Sequence, residues 1–391
     1  MLDRVDYLQK IRPFIGKDVI KVITGLRRSG KSVILEQLCN EINNPNTIYL
    51  NFEDLHMEHL LNYTALHDYV CKKIGDSKKQ FCLFFDEIQE VEGWEKTINS
   101  LRVKFKADIY ITGSNSKMLS SELSTHITGR YVEFVIYPFS FAEFKQINQK
   151  HTFDEYLQYG GMPFLHSINF KPQESKKYLK DVFNSILLKD VVKRNKIRDV
   201  DLLERIVNYV LNNIGKQFSA TSISKFFKQE KRIVAPETLL NYLKACEEAF
   251  LFKKLTYQDV IGKKALNVNE KYYIADHGLR AAVSGTNFND QEIILENIVC
   301  LELIRRGYTV KVGRSGRDRE IDFVCEKNDE KLYVQVCYIL SEEKTIEHEF
   351  ASLLDVKDNY PKIVLYKESS FKGNYEGIPA VNIEKWLLKN N

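Results

Sequence analysis

The sequence predicts an α/β protein whose first domain is a parallel sheet built around a phosphate-binding loop, and three observations carry that prediction. Residues 18–24 (DVIKVIT) are a short β-branched run, residues 25–32 (GLRRSGKS) follow it as G-x-x-x-x-G-K-[ST], and residues 33–42 (VILEQLCNEI) place apolar residues at helical spacing. Residues 81–85 (FCLFF) form the unbroken apolar run of a strand covered on both faces, and it ends in Asp86-Glu87. From residue 290 onward, helical and strand patterns alternate again.

The loop comes first in the chain and sets the chemistry. Glycine lets the backbone approach closely, so the N–H groups along Gly25, Leu26, Arg27, Arg28, Ser29, Gly30, Lys31, Ser32 and Val33 can surround the phosphates of a nucleoside triphosphate. The following helix adds partial positive charge at its N-terminus. Lys31 is expected to reach the terminal phosphates, and Ser32 to offer its hydroxyl to Mg²⁺. Upstream, Tyr7, Ile11 and Pro13 are expected near the adenine.

Residues 47–52 (TIYLNF) read as the second strand. His56 and His59 after it lack a third ligand of suitable spacing, so no metal is expected there. Asp86 sits at the C-terminal end of the buried strand, the rim where α/β sheets bind ligands, and is expected to support Mg²⁺ from behind its direct ligands. Glu87 is the expected base for the attacking water. Residues 94–105 have helical periodicity and lead into 108–112 (DIYIT), a strand that ends at Gly113-Ser114-Asn115 beside the acid-bearing strand. Ser114, with Asn115 close behind, is expected to contact the γ-phosphate or the water. Thr128-Gly129-Arg130 then precedes a strand at 131–137 and a turn at Pro138.

By this point GLRRSGKS, FFDEIQ, ITGSNSKML, TGRYVEF and PFSFAEF together resemble the AAA+ ATPases of the archaeal-type ATPase clan. The later FDEYLQYGGMPF, KDVVKR and EKYYIADHGLR resemble the uncharacterised C-terminal region often joined to them, so the resemblance covers nearly the whole chain. It implies an AAA+ ATPase core at 1–150, a helical lid at 151–200, a winged helix-turn-helix at 201–285 and a C-terminal restriction-endonuclease-like α/β domain of PD-(D/E)XK type at 286–391. It also implies ATP as the nucleotide, with no guanine-reading N-K-x-D in the chain, and gives Arg130 the role of an arginine finger.

The remaining patterns agree with that division. Gly160-Gly161-Met162-Pro163 makes a turn between helices, 174–196 is a long helical stretch, and 202–214 is a helix stopped by Gly215. Helices at 219–229 and 236–248 precede a hairpin over 250–257 and 271–274, with a turn at Gly262. Three helices and a hairpin make a winged helix, whose third helix can enter a major groove. Lys225, Lys228, Lys231, Arg232, Lys244, Lys253 and Lys254 are placed for phosphate contacts. Residues 171–275 hold 21 Lys and Arg against 12 Asp and Glu, a net +9 in a chain whose total is +4.

Beyond that, a helix over 293–305 carries Glu296, a strand over 319–325 carries Asp322, and a strand over 332–339 carries Gln335. This is the layout in which a nuclease of the implied type holds Mg²⁺ and activates water. Cys337 stands where the lysine is expected, and a thiol cannot supply that positive charge. Nothing in the sequence argues for Lys311 or Lys344 in its stead. The expectation is a nuclease-shaped domain with no activity or very little.

Composition bounds the rest. Apolar residues make up 44% and charged residues 28%, ordinary for a soluble globular protein. No signal peptide or membrane-spanning run is read, and seven scattered cysteines without C-x-x-C suggest neither a disulfide framework nor a zinc knuckle, so the expected compartment is the cytoplasm. The expected function is Mg-dependent ATP hydrolysis coupled to a DNA or protein partner. An ATP-gated nuclease and a protein-binding scaffold are the alternatives, with no membrane partner and with monomer, dimer and ring all open.

Overall fold

The structure, a computed structural model, describes residues 2–116, 129–260, 265–285, 290–315, 319–371 and 373–389, with backbone alone for 265–269. Residues 117–119 of the ITGSNSKML motif, Thr128 and the turn at Gly262 therefore lie outside the described residues. Two compact units divide the chain: Met1–Pro138 with Glu248–Phe250, and Phe139–Glu247 with Leu251–Asn391. No helix among the described residues is long and apolar enough to cross a membrane.

The first unit contains α1 (Val5–Ile11), β1 (Ile20–Gly25), α2 (Lys31–Ile42), β2 (Thr47–Asn51), α3 (Tyr63–Ile74), β3 (Phe81–Asp86), α4 (Trp94–Lys104), β4 (Ala107–Gly113) and β5 (Tyr131–Ile136). Its five strands are all parallel, in the order β2-β3-β4-β1-β5. On one face Val22, Phe85 and Ile111 pack with Leu66, Ile98 and Leu101 of α3 and α4. On the other, Ile23, Phe84 and Tyr110 pack with Ile11, Ile34 and Leu38 of α1 and α2. Burial on both faces is why these strands read as continuous apolar runs rather than alternating ones. Each fully buried side chain of this size contributes about 1.5–3 kcal/mol. The charge inside the first run is explained too: Lys21 is fully buried and paired with Asp108, which also accepts from the Tyr110 hydroxyl at 2.8 Å.

The acid-bearing β3 is not the immediate neighbour of β1, because β4 lies between them. The tip of β4 therefore spans the distance from the loop to the acids.

The second unit opens with α5 (Phe141–Ile147), α6 (Phe153–Tyr159) and α7 (Pro172–Ser185), the last continuing as a π-helix over Ile186–Lys193. Next come α8 (Val200–Asn212), α9 (Ala220–Gln229), α10 (Pro236–Glu248), β6 (Phe252–Asp259), β7 (Ala265–Ile274), α11 (His277–Ser284) and α12 (Gln291–Arg305). The unit closes with β8 (Thr309–Arg314), β9 (Glu320–Lys327), β10 (Glu330–Leu340), α13 (Glu343–Leu354), β11 (Lys362–Ser369), β12 (Asn374–Tyr375), β13 (Ile378–Asn382) and α14 (Ile383–Leu388). Ser140, Thr152 and Ser219 start their helices with reciprocal capping boxes, the local signal that fixes those N-termini.

Two of the quoted C-terminal motifs interlock. Asp276 accepts the backbone N–H of Gly161 at 2.7 Å. A Cβ on Gly160 would lie 2.3 Å from Asp276 Oδ1, and one on Gly278 would lie 2.0 Å from the Tyr159 carbonyl oxygen. These glycines stand where two backbones touch.

The sheet of this unit is mixed, with eight strands in the order β12-β13-β11-β10-β9-β8-β6-β7. β6 pairs antiparallel with β7 and parallel with β8, through Tyr257–Asp259 against Val312–Arg314. The hairpin expected inside a module at 201–285 is thus hydrogen-bonded to the strands expected of 286–391. The chain as a whole is α/β, a five-stranded parallel sheet with helices followed by a mixed sheet.

Candidate functional site

The phosphate loop is shaped by close approach and by φ. Gly25 has φ 140°, and a Cβ there would lie 2.1 Å from the Ile136 carbonyl oxygen on β5. Gly30 has φ 97° and Arg28 φ 67°, so the chain bends twice through left-handed backbone before α2 begins at Lys31. Lys31 Nζ donates to the Leu26 carbonyl at 3.2 Å and lies 3.5 Å from Glu87 Oε1. The loop and the acid after β3 are therefore brought together across β4.

Asp86 ends β3 and is fully buried. Thr112 links the two acids: its hydroxyl donates to Asp86 Oδ1 at 2.5 Å and accepts the Glu87 backbone N–H at 2.8 Å. Burial raises the Asp86 pKa above the usual carboxylate range, opposed by hydrogen bonds from Thr112 and Ser32. Asp86 Oδ2 is buried with no hydrogen-bond partner among the described residues. A buried carboxylate oxygen without a donor, with a serine hydroxyl beside the group, is a donor set that suits a hard divalent cation. Glu87 itself has left-handed backbone, φ 51° and ψ 46°, and its Oε2 accepts from Gln89 Nε2.

Ser114 and Asn115 follow the tip of β4, where Gly113 pairs with Thr24 just before the loop. Both are buried. Thr112, two residues earlier, was not among the expected site residues, because DIYIT reads as strand body. A polar residue so close to a glycine-terminated tip was the available signal.

Arg130 is not brought to the loop. It is exposed, and its carbonyl accepts from the N–H of Ile20 at the opposite end of β1 from Gly25. Five residue steps of strand separate those ends, about 16 Å, which exceeds the reach of one side chain. Tyr7 and Ile11 are core residues against α2, and Pro13 is exposed.

A second cluster of ionisable groups lies in the second unit. Glu296 on α12 accepts from the Tyr273 hydroxyl at 2.5 Å and from Lys271 Nζ at 3.0 Å, both on β7. Lys271 also meets Glu320 Oε1 at 2.5 Å. Asp322 accepts the Val336 backbone N–H at 2.8 Å and donates its own N–H to Gln335 Oε1 at 3.3 Å. Burial first and Glu296 second hold the Asp322 carboxyl well above the usual range. Burial pulls the Lys271 pKa down, but Glu296, Asp322 and Glu320 outweigh it and keep the ammonium charged. Glu296, Asp322 and Gln335 thus lie in one cluster.

The lysine among them is Lys271, which sequence reading missed, and neither Lys311 nor Lys344 takes a part in the contacts described. Cys337 lies in the core under α13 with Phe350 and Leu353, its thiol kept neutral by burial.

Of the basic residues expected to meet phosphates, Arg232 is bound to Asp199 at 2.7 Å and Asp201 at 2.5 Å, and Lys254 to Glu270 at 3.2 Å. Lys225, Lys228, Lys231 and Lys244 are exposed on or beside α9 and α10, and Lys253 is half-buried on β6.

Residues 17–145 match a family model described as an AAA domain, and residues 150–290 match one described as a domain of unknown function, DUF8612. An uncharacterized protein of Haemophilus influenzae is 38% identical over 402 residues, which span 100% of this chain and 99% of the relative. The uncharacterized protein MJ1544 of Methanocaldococcus jannaschii is 31% identical over 407 residues, spanning 95% of this chain and 89% of the relative. Among solved structures, AMPPCP-bound DnaA from Aquifex aeolicus aligns with a TM-score of 0.33 at 16% identity, over 63% of this chain and 88% of that one.

Proposed function

The chain belongs to the same family as the Haemophilus influenzae and Methanocaldococcus jannaschii proteins and carries an AAA domain, and from that premise we propose that it is a cytoplasmic Mg-dependent ATPase whose turnover is coupled to a DNA or protein partner. The observation that carries the reading is the meeting of Lys31 and Glu87 at 3.5 Å, with Asp86 and Thr112 behind them. Main-chain N–H groups of Gly25–Val33 hold the phosphates, and Lys31 neutralises charge at the terminal ones. Ser32 and Asp86 are the residues to hold Mg²⁺, which when bound spreads the charge of the β- and γ-phosphates. Glu87 orients the attacking water and takes its proton, while Ser114 fixes the water or the γ-phosphate from the tip of β4. Because Arg130 stands about 16 Å from the loop of its own chain by strand rise, its role as a finger requires a neighbouring copy.

Mutation of Glu87 tests the reading. Glu87→Gln should bind Mg·ATP with parental affinity and hydrolyse it about 10²–10⁴-fold more slowly in a phosphate-release assay. Parental turnover in that variant removes Glu87 as the base.

The lid at 151–200, the winged helix at 201–285 and the nuclease-like region at 286–391 are proposed as the parts that hold the partner. With Lys225, Lys228, Lys231 and Lys244 on phosphates, DNA affinity should fall with salt at a log–log slope of about −3 to −4. A flat dependence favours a protein partner. A second reading, metal-dependent DNA cleavage, is favoured by one observation: Lys271 supplies beside Glu296 the ammonium that Cys337 cannot. Mn²⁺-dependent nicking that is lost in Asp322→Ala would establish it, and intact single-stranded, duplex and branched substrates would remove it.

A further inference from the structure

The phosphate loop is braced from outside itself, by a residue that neither the motif nor the comparisons single out. Arg4 precedes α1 and is 2% exposed. One guanidinium nitrogen, Nη1, donates to the Ser29 carbonyl at 2.9 Å, and the other, Nη2, donates to the Tyr137 carbonyl at 2.9 Å, just beyond β5. The guanidinium lies 4.5 Å over the Tyr7 ring, and its Nη1 is 3.8 Å from where a Cβ on Gly30 would sit. The segment carrying it is fixed in turn, since Gln37 on α2 donates to the Leu2 carbonyl at 2.9 Å.

We infer that Arg4 is a positioning residue for the triphosphate, acting through the Ser29–Gly30 peptide. This rests on the reading of residues 25–32 as a triphosphate site. A trans peptide is planar, with its C=O and N–H on opposite sides. Holding the Ser29 oxygen toward Arg4 therefore turns the Gly30 N–H away from Arg4, the side proposed here for the phosphates. Gly30 has no side chain to resist rotation of that peptide, and at φ 97° it occupies a region where glycine has several accessible wells. Without an external anchor, the peptide can flip and present its oxygen to the phosphates, which repels them. A bidentate guanidinium suits the task because its two donors are fixed in one plane, so Ser29 and Tyr137 are held relative to each other. Arg4 touches no reacting atom, so its effect belongs on binding rather than on the chemical step.

The test is calorimetry and steady-state kinetics on the full chain, using Mg·ATP and, separately, inorganic tripolyphosphate. Arg4→Met is expected to weaken both ligands by about tenfold, the order a charge-assisted hydrogen bond supplies. KM for ATP should rise by about the same factor, with kcat within about twofold. Arg4→Lys, which keeps one donor, is expected to recover part of the loss. Arg12→Ala, which breaks the exposed Arg12–Glu41 pair on the turn after α1, is expected to change neither ligand. Parental affinity in Arg4→Met, or a loss for ATP without one for tripolyphosphate, overturns the inference. Should Arg4→Met fail to fold, parental affinity in Arg4→Lys overturns it equally. A parental chain that binds no Mg·ATP removes instead the triphosphate reading itself, and that outcome is seen before any variant is made.

Discussion

Lys31 and Lys271 are both buried ammonium groups facing carboxylates, one in each compact unit, and the two are held differently. Lys31 has a carbonyl at 3.2 Å and a carboxylate at 3.5 Å, the second longer than a good hydrogen bond. Lys271 has carboxylates at 3.0 and 2.5 Å, with Asp322 adding its field. The acids differ in the same sense. Asp86 keeps a buried oxygen with no donor among the described residues, whereas Glu296 is bound by Lys271 and Tyr273 together. A loosely held lysine beside an unsatisfied acid can exchange its contacts for a ligand's at small cost. A lysine saturated by two acids holds secondary structure together, here β7, α12 and β9.

The largest effects should separate the two lysines most sharply. Lys31→Met should lower Mg·ATP affinity by more than about 100-fold by calorimetry, because the terminal phosphates lose the ammonium proposed to reach them. Its unfolding free energy should move by less than about 1 kcal/mol, since Glu87 keeps its bond from Gln89. Lys271→Met should do the reverse. It leaves buried Glu296 and Asp322, with half-exposed Glu320 beside them, without their cation, a loss of about 3–5 kcal/mol in denaturant unfolding, with ATP affinity kept in the folded fraction. If Lys271→Met is as stable as the parent, the contrast collapses.

Thr112→Val comes next. It removes the one side chain bonded to both Asp86 and the Glu87 backbone, and should cost about 1–3 kcal/mol of stability. It should also weaken Mg·ATP binding, because Asp86 loses its bond from Thr112 and is held less firmly beside Ser32.

The smallest effect concerns pH. The Asp322 carboxyl is held above its unfolded value, so the native state keeps a proton that the unfolded chain has released. Its contribution to stability is therefore present below the unfolded value of about 4 and is lost as pH rises from there toward the folded value. Relative to the parent, Asp322→Asn should gain stability across that window in parallel denaturant titrations. A difference that does not vary with pH would show that the carboxyl titrates normally.

Much of the first unit was legible because its signals are contiguous. Gly25 to Ser32 and Asp86-Glu87 each lie within one turn of chain, and the sheet around them is buried on both faces, so its strands appear as apolar runs. The order of the strands was less legible, and β4 proved to stand between the loop and the acids. Arg130 shows the limit more clearly. A motif can name a residue without saying at which end of a strand it stands, and the pairing of Tyr131 with Ile20 decides that.

In the second unit, most helix starts and stops were readable from caps and glycines, and Asn328-Asp329 forms the turn between β9 and β10. Both of those residues adopt positive φ, as a tight hairpin requires. What could not be read was the assembly. Lys271 reaches Glu296 because α12 is fixed on β7, where Asn297 bonds both the N–H and the carbonyl of Ile274, and no spacing in the sequence encodes that contact. One clue was present. In EKYYIAD, Lys271 shares a strand face with Tyr273, and a lone charge on an inward face needs a partner.

The backbone of Glu87 has a consequence for how the chain can change over time. A side chain in left-handed conformation costs free energy that glycine would not, of order 1 kcal/mol or more, so Glu87→Gly should give a protein that melts later and, with Glu87 as the proposed base, releases phosphate far more slowly. A library ranked on thermal resistance alone would drift toward that slower form. One ranked on phosphate release would keep the less comfortable acid. Position 87 is accordingly a place where durability and usefulness pull in opposite directions.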